Sequence, residues 1–194
     1  VTDLLADANG ATPLEPEELE ALIPSHITLR AELNEAEQAG ILAADEWAFR
    51  RRRDVLNERF LKNLHRRMLG KVWRWAGEFR HTERNIGVQA YRIAMELRHL
   101  LDDVRYWIEH ETYSPDEIAV RFHHRLVAIH PFPNGNGRHA RLAADLLAVR
   151  LERPRFTWGR GNIAAQSDVR SVYINALRAA DRHDIAPLLT FSRS

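Results

Sequence analysis

The sequence predicts an all-α helical bundle that carries one small β-hairpin. Three observations lead there. Apolar residues recur at i, i+3, i+4 steps along most of the chain, and helix-starting and helix-stopping residues punctuate those stretches. One segment, from Ala76 to Ile93, loses the helical stripe altogether. A chain of 194 residues with 45% hydrophobic content suits one domain with a sizeable core.

Taken in order, residues 1–15 mix Asp, Asn, Gly and Pro and read as a lead-in. Pro16 followed by Glu17, Glu18 and Glu20 marks the first turn of a short helix, with acids at its positive end, and Pro24 ends it. Residues 28–38 form a helix through Leu29, Leu33 and Ala36 that runs until Gly40. A second helix covers roughly residues 43–69, bent or broken near the Arg50–Arg53 run, with Gly70 as its stop. The stretch "AGEFRHTERNIGVQAYRI" then offers Gly77, Gly87, Phe79 and Tyr91, with a turn at Asn85-Ile86-Gly87, and reads as the hairpin.

Helicity returns with Ile93, Leu97, Leu100, Leu101, Val104, Trp107 and Ile108 on one face. Ser114-Pro115-Asp116-Glu117 is a capping box with proline at the first helical position, and its helix ends at His130. Arg138 to Leu151 forms the next helix, stopped by Pro154, and "FTWGRGN" is a loop. Ser167 caps a helix bearing Val169, Val172, Tyr173 and Leu177, and Asp184 starts a last short one.

Composition narrows the function. The formal net charge is +1, from 28 basic against 27 acidic residues, so nucleic acid is not an expected partner. Only Lys62 and Lys71 are lysine; the other basic residues are arginine, which suits bidentate anion contacts. The absence of cysteine excludes disulfides and thiolate metal sites and favours a reducing cytoplasm. No apolar run approaches the roughly 20 residues a bilayer requires, and no secretory leader is read at the N-terminus, so a soluble cytoplasmic protein without membrane contact is expected. Val1 is not a start residue, so the natural chain is expected to begin earlier.

The chemistry concentrates in "HPFPNGNGRHAR", residues 130–141, between two core helices. A helix N-terminus offers unpaired N–H groups and partial positive charge to an anion. Gly135 and Gly137 let that backbone approach a ligand closely, and Arg138 and Arg141 share one face of the first turn. Together they suit a di- or triphosphate. His130 adds a group able to take a proton near neutral pH, so an incoming hydroxyl could attack phosphorus in line. The nearest candidate oxygen ligand for a divalent cation is the Asn134 amide. Zinc at His123, His124 and His130 is disfavoured because adjacent histidines point apart on a helix. Arg50–Arg53 reads as a solvated helix face, and the P-loop lysine motif does not occur.

Residues 130–141 resemble the Fic (Fic/Doc) family pattern H-x-F-x-(D/E)-(G/A)-N-(G/K)-R-x-x-R at every position except Asn134. "RFHHRLVAIHPF" is similar to the family's helix leading into the loop, "WAGEFR" to the start of its hairpin flap, and "VYINALRAADRHDIAPLLTF" to its C-terminal helices. The likeness covers roughly residues 45–192 and extends to the subgroup called mobile mystery protein B. It implies the Fic fold, with residues 1–44 as a helical extension and 45–194 as the Fic domain.

The resemblance also implies an activity: AMP moves from ATP to a Ser, Thr or Tyr hydroxyl of a target protein, with Mg2+ or Mn2+. His130 is then the base and Phe132 the core anchor, and Gly135, Asn136, Gly137, Arg138 and Arg141 hold phosphate. Tyr173, Leu177 and Asp181 line the base pocket, and the hairpin at Asn85, Ile86, Gly87 and Val88 docks the target. Asn134 stands where the family has a carboxylate for the metal, which implies weaker metal binding, another donor of a phosphate-containing group, or a nucleotide-binding regulatory module. Thr28-Leu29-Arg30-Ala31-Glu32 fits most of the family's restraining motif and assigns Glu32 to pair with Arg141. A homodimer is compatible with all of this.

Overall fold

The computed structural model describes residues 15–159 and 166–194. The second half of the expected "FTWGRGN" loop, and the side chain of the expected cap Ser167, lie outside the described residues. Eight α-helices are described: α1 (Pro16–Leu19), α2 (Arg30–Phe49), α3 (Glu58–Leu69), α4 (Ile93–Glu109), α5 (Pro115–Ile129), α6 (Asn136–Arg150), α7 (Gln166–Asp181) and α8 (Ala186–Arg193). A single 3-10 turn, Ala90–Arg92, leads into α4.

Helix α6 is the centre. Ala140, Ala143, Ala144, Leu147 and Ala148 are buried, and these small side chains let neighbouring helices approach closely. α5 lies against α6, α4 and α8, while α2 and α3 pair with each other and both touch α6. Helix ends follow their expected chemistry. Asn57 accepts from Phe60 N at 3.1 Å to open α3, and Ser114 accepts from Glu117 N at 3.3 Å behind Pro115 to open α5. The reciprocal half of the expected capping box is replaced, since Glu117 binds Arg121 instead.

Gly40 does not end a helix. α2 runs through it to Phe49, and a Cβ at Gly40 would sit 2.2 Å from the Met68 carbonyl oxygen. The glycine therefore serves the crossing of α2 over α3. The expected break falls after Phe49, and α3 begins only at Glu58.

The expected β-hairpin is not formed. Residues 76–89 are turns and bends, and among the described residues the one β-bridge is an isolated antiparallel pair, Leu22 with Trp73. The reason lies in Arg80, which is buried and donates to the carbonyls of His130 (2.7 Å), Thr82 (2.9 Å) and Val88. Its own N–H goes to Pro131 O, and Val88 N goes to Ile129 O. The polar backbone of this segment is thus committed to a guanidinium and to the end of α5, leaving no ladder for two strands to share. Arg84 ties the far side of the segment to Glu15 and Glu18 at α1.

Candidate functional site

His130 caps α5 in a left-handed conformation, φ 53°, and this turns the chain into the loop. Non-glycine residues rarely hold that conformation, and it concentrates at functional sites. One hydrogen bond holds it here, and one glycine leaves it room. Arg80 Nε donates to the His130 carbonyl, and residue 87 is a glycine whose added Cβ would lie 2.6 Å from His130 Cβ. The imidazole is nearly buried. Burial first, then Arg80 and Arg84, pushes its pKa down to about 4, against a smaller opposing effect of a hydrogen bond to the Val127 backbone. The ring is therefore neutral at physiological pH.

The rest of the loop is anchored by uncharged groups. Phe132 is buried, stacks on His65 at 3.7 Å and meets His139 edge-on at 5.0 Å. Asn136, also buried, clasps Phe132 with both amide atoms: Oδ1 accepts from Phe132 N at 2.9 Å and Nδ2 donates to Phe132 O at 2.8 Å. His65 bonds the Asn134 carbonyl at 3.0 Å and accepts Gly77 N–H at 2.9 Å, joining the loop to α3. Gly135 sits at φ 77° before α6, where a Cβ would press within 2.7 Å of Leu69 Cδ1.

The cations emerge from the first turns of α6. Arg141 donates to Gly137 O at 3.3 Å and lies over the Tyr173 ring, its Cζ 5.2 Å from the centroid. The Tyr173 hydroxyl is 3.1 Å from His123 Nε2, and burial pushes the phenol pKa up to about 12. Leu177 is half-buried against the core, and Asp181 is exposed and bonded to His124 Nε2 at 2.8 Å. Tyr173 is thus brought to Arg141, whereas Asp181 is engaged with α5. Asn85, Ile86 and Gly87 are exposed and Val88 half-buried, on the segment covering His130.

Glu32 stays at its own helix. Its carboxylate accepts from Thr28 N (3.0 Å) and Leu29 N (3.1 Å), bonds that lower its pKa, and it is fully exposed. The acid that does reach the loop is Glu37, which sequence reasoning missed. Glu37 is 5% exposed, accepts from Trp73 Nε1 at 2.8 Å and pairs with Arg138 NH1 at 2.8 Å. A signal existed: Glu37 falls in line with buried Leu33, Ala44 and Ala48, a carboxylate within an apolar stripe. Ending the helix at Gly40 cut that stripe short. Arg80 was also missed as a site residue.

A protein-built magnesium site is not evident. Among the described residues no three His, Asp or Glu side chains converge, and Asn134 Oδ1 accepts Gly135 N–H at 2.5 Å. The loop lacks the carboxylate oxygens this hard cation prefers.

Fold and site together define an all-helical protein with an arginine-bearing helix start beside a buried neutral histidine. Residues 55–148 match the family model described as "Fic/DOC family", and the chain belongs to that family. It is 33% identical over 132 residues to the protein adenylyltransferase Fic of Drosophila grimshawi, covering 66% of this chain and 26% of that one. The chain therefore spans about a quarter of the length of the curated relatives it matches. Among solved structures, Fic-1 of C. elegans superposes with a TM-score of 0.68 at 25% identity, covering 91% of this chain and 52% of that one. BepC of Bartonella tribocorum, solved with bound AMPPNP, has the same fold, with a TM-score of 0.67 at 18% identity over 92% of this chain and 97% of that one.

Proposed function

We propose that the protein transfers AMP from ATP to a Ser, Thr or Tyr hydroxyl of a protein substrate. The observation that carries this reading is the buried, neutral His130 at the mouth of a loop whose charges all come from arginine. His130 accepts the hydroxyl proton, the oxygen bonds to the α-phosphorus, and the bond to the bridging oxygen breaks. Pyrophosphate leaves, its charge held by Arg138, Arg141 and the N–H groups from Gly135 to Gly137. Asn136 keeps the loop in shape, and Tyr173, Leu177 and Asp181 border the nucleotide base. The exposed edge at Asn85, Ile86, Gly87 and Val88 is where a substrate segment meets His130. Residues 45–194 act as the catalytic unit and 1–44 as an extension that reaches it through Glu37. The named activity of the Drosophila relative and the AMPPNP in BepC support a nucleotide as donor.

A second reading, transfer of another phosphate-containing group, is favoured by one observation: Asn134 gives the loop an amide in place of a carboxylate. ATP labelled at the α-phosphate or the γ-phosphate separates the two. Label retained on protein from the α position alone supports AMP transfer, and γ label on protein overturns it. His130→Ala is expected to abolish labelling while nucleotide affinity stays within a few-fold; undiminished labelling removes His130 from the mechanism.

A further inference from the structure

Charge on this chain is unevenly placed. Residues 50–67 hold seven arginines and Lys62 against Asp54 and Glu58, a net of +6 on a chain whose total is +1, so the remainder carries −5. In the structure part of this stretch lines a groove of about 1100 Å³ whose walls set Arg52, Arg53, Arg59, Lys62 and Arg66 against Asp54, Glu58 and Glu78, with Trp47 beside them. Glu78 pairs with Lys62 at 3.4 Å and Arg66 at 2.5 Å, which leaves Arg52, Arg53 and Arg59 to meet an anion. Arg59, Lys62 and Arg66 share one face of α3 by their i, i+3, i+7 spacing, opposite the buried face that sends His65 to the catalytic loop.

The groove is built rather than merely charged. Trp47 stacks on Phe60 at 5.9 Å, and the guanidiniums of Arg53 and Arg67 lie 3.8 and 4.1 Å from its ring centroid. Arg53 also donates to Trp47 O at 3.2 Å, while its Nε is buried with no acceptor among the described residues. Arg52 and Arg59 are exposed and have no ion-pair partner among the described residues. Arg53, held on the Trp47 ring, can meet an anion without the entropy of ordering it first, and Arg52 and Arg59 add their charge beside it.

We propose that this groove binds an acidic polypeptide segment, at a site separate from the nucleotide loop. Two observations favour polypeptide over nucleic acid. The Trp47 ring is already flanked by two guanidiniums and Phe60, so a base has little open aromatic surface to stack on. Asp54, Glu58 and Glu78 are interspersed among the groove's cations, and a backbone with a phosphate at every nucleotide cannot avoid them, whereas a polypeptide can space its carboxylates to meet only the arginines. A polypeptide can set its carboxylates against the arginines and its amides against Asn57 and Asn63. The 12 residues of α3 span about 18 Å, room for roughly five or six extended residues. Glu78 on the rim lies two residues before Arg80, which holds the His130 carbonyl, so a bound chain would lie beside the segment covering that histidine.

The test is fluorescence anisotropy with a labelled peptide of five Glu-Ser repeats, beside a labelled ten-nucleotide oligo-dT. The peptide is expected to bind the full chain, more weakly as salt rises, and saturating ATP should not displace it. The double variant Arg52→Ala/Arg59→Ala should weaken it at least about fivefold with an unchanged melting temperature. Lys71→Ala/Arg98→Ala, which removes the same charge from exposed positions outside the groove, should leave binding unchanged. Equal loss in both double variants, tighter binding of oligo-dT, displacement by ATP, or no peptide binding would each overturn the proposal.

Discussion

Replacing Glu37 with glutamine tests what the buried acid does at the loop. Glu37 and Arg138 meet at 2.8 Å, with the Glu37 side chain 6% and the Arg138 side chain 33% exposed. Full charges about 4 Å apart attract by about 4 kcal/mol at an effective dielectric near 20. Water at the guanidinium screens that value, and exposed pairs retain only about 0–1 kcal/mol, so the net interaction is on the order of 1–2 kcal/mol. An incoming triphosphate must compete for the same guanidinium. The substituted amide keeps the volume and can still accept from Trp73 Nε1, but it no longer repels phosphate. ATP affinity is therefore expected to rise about tenfold, equivalent to about 1.4 kcal/mol, with a melting temperature lowered by a few degrees. Titration of a fluorescent ATP analogue, alongside thermal unfolding, reads both. Glu32→Gln is the control, since that acid caps its own helix, and it should leave affinity unchanged. Unchanged or weakened ATP binding by folded Glu37→Gln would refute the competition and make Glu37 a support for Arg138 instead.

Three further outcomes follow from the same structure. Because the free His130 has a pKa of about 4, kcat/KM for labelling should vary less than about twofold from pH 5.5 to 8; a limb near 6.5 would mean an ordinary, solvated imidazole. His65, His123, His130 and His139 all have pKa values lowered by burial; for His130 and His139, lowered to about 4, only the unfolded chain takes up protons between about 4 and 6.5, and His65 and His123 act in the same direction. Stability should be full above pH 6.5 and fall by up to about 1.4 kcal/mol per group per pH unit below it, and urea midpoints flat from pH 7.5 to 5 would contradict that burial. Asn134→Asp places a carboxylate at the loop and should sharpen the magnesium dependence of labelling by at least about threefold; identical magnesium titrations would mean that position 134 faces away from bound phosphate.

Much of the helical pattern was legible because it rests on local chemistry. Ser114-Pro115 opened α5 and Gly70 closed α3 where expected, and the segment from His130 to Gly135 joins two helices as its turn residues predicted. The misses share one cause, which is that a residue's partner is not set by its spacing, and at Gly40, Glu37 and Arg80 a partner lay far away in sequence. Gly40 reads as a stop in isolation, yet it is required by the Met68 carbonyl of another helix. The 76–89 segment has hairpin composition, but buried Arg80 diverts its carbonyls. Glu32 matched a motif, while Glu37, with a partner 101 positions away at Arg138, did not. Spacing reports which face a residue occupies, not what it meets there.

The loop separates its holding groups from its charged ones, and that separation constrains how it can act. Phe132, Asn136, His65 and the Arg80 bond to a carbonyl fix the backbone through stacking and hydrogen bonds that do not depend on the arginine pair. Arg138 can then change partner without loss of these contacts, since none of them uses its guanidinium, whereas Arg141 also holds the Gly137 carbonyl. Under the proposed reading, Glu37 and a triphosphate would be alternatives for Arg138, and exchanging them would require only side-chain motion on a scaffold already formed. His130 is held left-handed by the Arg80 bond to its carbonyl, which involves neither Arg138 nor Arg141, so under the proposed reading the base would need no rearrangement when the anion arrives.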